Sequence, residues 1–128
     1  MTYYFAKTLD ADFDAAVARV REALQQEGFG VITEIDVAKT LKTKIGADFR
    51  PYLILGACNP RLAYEALQLE DKVGTMLPCN VVVQQTGPGR IEIAAIDPVA
   101  SMKAIDNPEL LEKAKLVGEK LKTVVAQI

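Results

Sequence analysis

The sequence of 128 residues contains no histidine and only two cysteines, Cys58 and Cys79. The absence of histidine excludes Ser-His-Asp and Cys-His catalytic arrangements within the chain, and it also excludes metal sites that depend on imidazole ligands. In a reducing compartment, two cysteines indicate buried thiols, a ligand site or a redox pair rather than a structural disulfide.

Long apolar runs and a strong net charge are also missing. No run approaches the roughly 20 residues that span a bilayer, and the first residues lack the charged lead and apolar core of a secretory signal. We therefore predict a cytoplasmic protein with no membrane partner. The net charge is −2. We expect no nucleic-acid partner, because stacking aromatic residues do not accompany the one basic group, Lys39, Lys42, Lys44 and Arg50.

The composition that is present is that of a globular domain. Half of the residues are hydrophobic and a quarter are charged, far from the composition of disordered chains. A chain of this length buries roughly 70% of its unfolded surface on folding. We predict a single domain over residues 1–128.

Hydrophobic periodicity divides the chain into short strands and amphipathic helices. Strands are predicted over 3–6, 31–35, 52–57, 79–85 and 90–96, the last two forming a hairpin. Helices are predicted after the capping residues Asp10 or Asp12, Asp36, Asn59 and Asn107. Residues 71–78 are predicted as a loop, and residues 99–105 as a further helical turn. The order β-α-β-α-β-α-β-β-α predicts an α+β fold, a single-sheet sandwich with helices on one face.

Two helices carry predictions about their faces. In the short second helix, Val37, Leu41 and Ile45 share one side, which indicates an apolar face. In the C-terminal helix, the spacing predicts weak ion pairs on the outer face, Glu109 with Lys113 and Glu112 with Lys115.

Several segments resemble the DUF302 family of bacterial and archaeal proteins. They are YLILGACNP at 52–60, the alanines and leucine at 63 and 66–67, LPCNVVV at 77–83, DP at 97–98 and, more loosely, EGFGV at 27–31. The resemblance covers most of the chain. It implies a TT1751-like fold, related to the TATA-binding-protein-like topology, often assembled as a homodimer. It implies no catalytic residues.

The two Cys-Asn pairs are the candidate site. Cys58 ends an apolar strand just before a helix, where free amides and the helix dipole favour a thiolate. The alternative is that Cys58 is a small buried hydrophobic residue and Asn59 is only the cap. Capping does not explain Cys79 and Asn80, which favours a shared ligand site formed by all four residues.

The spacing of the two cysteines leaves their chemistry open. If residues 71–78 return the chain to the end of the sheet that Cys58 leaves, the two thiols approach each other. They can then form a reversible disulfide. A weaker alternative is a soft metal such as Cu(I), with Met76 or Met102 as a thioether ligand.

Three hypotheses about function follow. The first is a dimeric binding or sensing protein, whose pocket near the Cys-Asn pairs takes a small molecule or responds to thiol oxidation. The second is an enzyme with Cys58 as nucleophile and Glu70 or Asp97 assisting proton transfer, although Glu70 is also explained as a helix-end residue and Asp97 as a cap. The third is a structural or partner-binding module with buried cysteines.

Overall fold

The structure is a computed structural model that describes residues 2–128. Its strands are β1 (Tyr4–Asp10), β2 (Gly30–Asp36), β3 (Tyr52–Cys58), β4 (Cys79–Gly87) and β5 (Arg90–Ile96). Its helices are α1 (Phe13–Gln26), α2 (Val37–Ile45), α3 (Pro60–Leu69), α4 (Pro98–Met102) and α5 (Pro108–Gln127), and a 3₁₀ helix (Asp71–Met76) precedes β4. Among these residues, no helix has both the length and the apolar character that crossing a membrane requires.

All five strands belong to one antiparallel sheet in the order β1-β5-β4-β3-β2. The predicted α+β class and the single sheet are confirmed. β1 is longer than predicted, because it pairs with the whole of β5, from Tyr4 opposite Ile96 to Asp10 opposite Arg90. The segment predicted as a loop before β4 contains the 3₁₀ helix, which begins where the Glu70 carboxylate accepts a hydrogen bond from the amide of Lys72.

Side-chain caps fix the starts of four helices. Each capping side chain accepts a hydrogen bond from the backbone amide three residues later: Asp12 at 2.8 Å, Asp36 at 2.9 Å, Asn59 at 3.2 Å and Asn107 at 3.1 Å. Asp10, the alternative cap, ends β1 instead. Such a cap typically contributes about 1 kcal/mol, so local sequence alone is a strong reason for these boundaries.

The main hydrophobic core lies between one face of the sheet and the helices α1 and α5. α1 contributes Val20 and Leu24, and α5 contributes Leu121 and Val124, all fully buried. Alternate strand residues supply the sheet side of the core: Leu53, Leu55, Val81, Val83, Ile91 and Ile93. This alternation is the reason why one face of the sheet is apolar and continuous.

Helix α2 lies outside this core. Its predicted cap Asp36 is confirmed, and the helix ends at Gly46, which has φ 68°. No residue of α2 is buried, however, and Ile45 is 72% exposed. Its apolar side is therefore only partly covered: Val37 and Leu41 are half-buried, whereas Ile45 is exposed. The helix follows directly from β2, the last strand at one edge of the sheet.

A second, smaller apolar cluster lies beyond the main core. It joins α3, the 3₁₀ helix, α4 and the first half of α5 through Ala66, Val73, Met102, Leu110 and Ala114. The side chain of Asn107 fixes this arrangement, because it caps α5 and also donates a hydrogen bond from its amide nitrogen to the carbonyl of Leu69 at the end of α3, at 3.0 Å.

The second face of the sheet is not covered by a helix. We call it the open face and define it by Tyr4, Tyr52, Ile54, Val82, Gln84, Glu92, Ala94 and Ile96, all exposed or half-buried. A polar row crosses it: Arg50 donates to Gln84 at 2.9 Å, and Gln84 donates to Glu92 at 3.1 Å. Arg50 also lies over the rings of Phe49 and Tyr52.

The close contact of Gly56 in β3 with Thr33 and Pro78 can be tested by substitution. A Cβ atom at this position would lie 2.0 Å from Thr33 Oγ1 and 2.7 Å from Pro78 Cγ. We expect Gly56→Ala to lower the free energy of unfolding by about 2 kcal/mol through overpacking, measured by urea denaturation. The control is Gly30→Ala, where nothing lies within 4 Å of the added Cβ. Equal stability of the two variants would contradict the packing described here.

Candidate ligand-binding cavity

A cavity of about 230 Å³ lies where the ends of β3 and β4 meet α3, α4 and α5. Aliphatic and aromatic side chains form most of its wall, among them Phe29, Leu62, Leu77, Met102, Leu110 and Val117. The cavity also contacts Cys58, Asn59, Cys79 and Lys113. It is therefore an apolar space with a few polar groups at defined positions, which is the usual character of a small-molecule site.

The junction between β3 and α3 positions Cys58 and Asn59. β3 ends at Cys58, and α3 begins at Pro60, with Asn59 between them as the cap. The oxygen of the Asn59 side chain accepts the hydrogen bond from the amide of Leu62, and its nitrogen lies against Gly28. The predicted capping role of Asn59 is thus confirmed, and the same residue lines the cavity.

The pairing of β3 with β4 brings the two cysteines to one site. Ala57 is opposite Cys79 in the register, so Cys58 lies next to the start of β4. Both thiols are free, Cys79 is buried and Cys58 is half-buried. Residues 71–78 therefore return the chain to the end of the sheet that Cys58 leaves, which is the condition for the two thiols to approach each other.

Burial controls the chemistry of Cys79. Loss of solvation and, to a smaller extent, the neighbouring Cys58 together raise the pKa of this thiol to about 11. At neutral pH the Cys79 thiol is therefore protonated and a poor nucleophile, because the thiolate is the reactive form.

Among residues 2–128, Lys113 is the one lining residue of the cavity whose side chain is charged at neutral pH. Its ammonium group lies 2.8 Å from the carboxylate of Glu65, with both side chains about one-third exposed. The hydrogen bond from Lys113 holds the pKa of Glu65 below its usual value. This pair joins α5 to α3 beside the cavity.

The observed partner of Lys113 differs from the sequence prediction. The predicted pair of Glu109 with Lys113 is wrong, because Lys113 is on the side of α5 that faces α3 and meets Glu65 there. The predicted pair of Glu112 with Lys115 is present at 3.6 Å. The missed signal was the spacing of Lys113 with Leu110, Ala114 and Val117, which marks one helix face.

Three other candidate residues lie away from the cavity wall. Asn80 is exposed on the other side of the sheet, since it follows Cys79 in a strand whose side chains alternate. Glu70 caps the 3₁₀ helix, and Asp97 caps α4 by accepting a hydrogen bond from the amide of Val99 at 3.0 Å. Residues 2–128 contain no group of three or more Cys, Asp or Glu side chains suited to a metal ion.

The fold and the cavity define a small α+β protein with one antiparallel sheet, helices on one face and an apolar cavity at the end of the sheet. The model of the family described as "Domain of unknown function DUF302" matches residues 5–128. The chain belongs to the DUF302 family.

A solved structure supports the same assignment. The chain is similar to an uncharacterized conserved DUF302 protein from Bacillus stearothermophilus, known from a crystal structure, with a TM-score of 0.91 and 30% sequence identity. The similarity covers 99% of this chain and 98% of that protein. No curated protein matches the sequence.

The shifted pKa of Cys79 predicts how stability depends on pH. Between about pH 9 and pH 11, the unfolded chain loses the thiol proton and the folded protein keeps it, so the free energy of unfolding falls as pH rises. We expect the stability advantage of the wild type over Cys79→Ala to shrink by about 2 kcal/mol between pH 8 and pH 10.5, measured by urea denaturation.

The control for this measurement is Val81→Ala, which truncates a buried neighbour on the same strand without removing a titratable group. Its difference from the wild type should stay constant over the same pH range. If the Cys79→Ala difference also stays constant, the thiol has an ordinary pKa and the buried environment described here is incorrect.

Proposed function

We propose that this protein is a binding protein for a small, mainly apolar molecule, which it takes into the cavity beside Cys58, Asn59 and Cys79. The observation that carries the proposal is the cavity itself, an apolar space of about 230 Å³ in the folded chain. Apolar cavities of comparable size can remain dry and take up small organic molecules.

In this proposal the two cysteines serve as part of the cavity wall. Cys79 is only 6% exposed, and its thiol is protonated at neutral pH. This favours ligand contact over a fast response to oxidants, which requires a thiolate. Cys58 is the more accessible of the two, so its rate of alkylation should depend on whether the cavity is occupied.

The alternative of an enzyme with Cys58 as nucleophile has less support. A nucleophile of this kind needs a base within hydrogen-bond reach. Neither Glu70 nor Asp97 contacts the cavity, and each carboxylate accepts a hydrogen bond from the backbone as a cap. A binding role does not need these groups.

The cytoplasmic location predicted from the sequence fits a protein with two free thiols. We keep it as part of the proposal, because thiols persist in a reducing compartment and tend to be oxidised outside it.

Filling the cavity tests the proposed function. We expect 1-octanol to bind to the wild type in calorimetry and to slow the alkylation of Cys58 by iodoacetamide. Ala63 lines the cavity on α3, so Ala63→Phe should weaken octanol binding at least about tenfold, equivalent to about 1.4 kcal/mol. Ala18→Phe adds the same side chain at an exposed position of α1 and should leave binding unchanged. Equal binding by all three proteins, or none by the wild type, would reject the cavity as a site.

We also propose that two copies of the chain pair through the open face of the sheet. Its central strand β4 presents Val82, with Ile54 and Ala94 opposite it on the neighbouring strands. The spacing of strands and residues gives the face roughly 500 Å² of flat area, or about 1,000 Å² for two copies, which is the size of a small interface. The homodimer that the resemblance to DUF302 implies is the same partner.

The charges on the open face suit pairing with an identical face. The row from Arg50 through Gln84 to Glu92 has a cation at one end and a carboxylate at the other. In a twofold arrangement whose axis crosses the row at right angles, each end of the row meets the opposite end on the second copy. A partner with a single sign of charge has no such match.

The dimer is tested by placing a charge at the centre of the open face. We expect the wild type to sediment with twice the chain mass of 13.9 kDa, and Val82→Lys to sediment as a monomer, because an unpaired buried charge opposes association. The control Leu116→Lys changes a residue that is 51% exposed on α5 and should not alter the mass. A monomeric wild type would refute the proposed dimer, and a dimeric Val82→Lys would refute the open face as its interface.

A further inference from the structure

We infer that the ligand of the cavity is a medium-chain carboxylate, with its apolar chain inside the cavity and its carboxylate at Lys113. This inference rests on the proposed function and adds the chemical class of the ligand. It depends on the position of Lys113, on the charges around the cavity and on the cavity volume.

The position of Lys113 suits a headgroup contact. Leu110, Lys113, Ala114 and Val117 all line the cavity, and their spacing makes them one stripe along α5. The aliphatic stem of Lys113 is therefore part of the wall, and the side chain as a whole is about one-third exposed. Lysine side chains commonly bury their stem and keep the charge near water in this way. A chain lying along the stripe would place its polar end beside the ammonium group.

The charges select the sign of the headgroup. Within residues 2–128, no carboxylate lines the cavity, and the charged side chain that does is that of Lys113. A cationic ligand would meet a like charge there. Glu65 contacts Lys113 at 2.8 Å but is itself about one-third exposed. Since an ammonium group has three N–H donors, Lys113 can contact Glu65 and a ligand carboxylate together.

The volume limits the length of the apolar chain. An engineered cavity of 150 Å³ in another protein holds benzene, with six carbon atoms. By simple proportion, about 230 Å³ holds roughly eight to nine carbon atoms. A carboxylate at the level of Lys113 is outside the apolar space, so octanoate, which has seven carbon atoms beyond its carboxylate, fits within this limit.

The experiment compares octanoate with 1-octanol, which has the same number of carbon atoms and no charge, by calorimetry at neutral pH. We expect the wild type to bind octanoate about tenfold more tightly than octanol. In Lys113→Met, which keeps an unbranched stem without the charge, the ratio should fall to about one. In Glu65→Gln, which removes the competing carboxylate, the ratio should rise. Lys115→Met removes an exposed lysine of the same helix, whose side chain is 64% exposed, and should leave the ratio unchanged.

The octanol measurement separates the two levels of the proposal. If octanol and octanoate both fail to bind, the proposed function fails and the ligand class with it. If octanol binds and octanoate binds no more tightly, the cavity is a site for neutral molecules and the carboxylate inference is overturned. The inference is also overturned if octanoate is preferred equally by the wild type and Lys113→Met, because the preference then has another source.

Discussion

The antiparallel pairing of β3 with β4 is the constraint on which the cavity depends. It places Ala57 opposite Cys79, so two segments distant in sequence end at the same edge of the molecule. α3 leaves this edge immediately after Asn59, and the 3₁₀ helix returns the chain to it before β4. The space between these segments and α5 is the cavity. A shift of this register by one residue would turn Cys79 to the open face and remove it from the wall.

Helix α5 connects the two apolar clusters of the domain. Its second half completes the main core through Leu121 and Val124, and its first half contributes Leu110 and Ala114 to the cluster beside the cavity. Because the second half is packed against the sheet, the position of the first half is fixed as well. The wall that carries Lys113 is therefore preformed, which would reduce the entropic cost of ordering the protein when a ligand binds.

The burial that forms the cavity also raises the pKa of the Cys79 thiol. An apolar site disfavours a charged group, and the raised pKa of Cys79 is the direct result. A site built for thiolate chemistry would instead expose the sulfur to water or to cations. Lys113 is the nearby cation, and it is held by Glu65. These features support the proposed binding of an apolar molecule over chemistry at sulfur.

Local sequence determined the helix starts and the alternation of the strands. Asp12, Asp36, Asn59 and Asn107 act as caps because a short polar side chain before a helix satisfies free amides wherever the helix packs. The apolar runs of β3 to β5 likewise required a buried face. These properties depend on residues within a few positions of one another, so they were predictable.

The tertiary structure decided which of the marked residues meet. Asn80 is on the other side of the sheet from the cavity although it adjoins Cys79, because strand side chains alternate. Lys113 pairs with Glu65 rather than Glu109, because α3 packs beside α5. The extent of β1 depends on its pairing with β5, which is distant in sequence. The partial exposure of the apolar side of α2 depends on how little of the fold packs beside that helix. Contacts of this kind depend on how whole elements pack, which periodicity within one element does not specify.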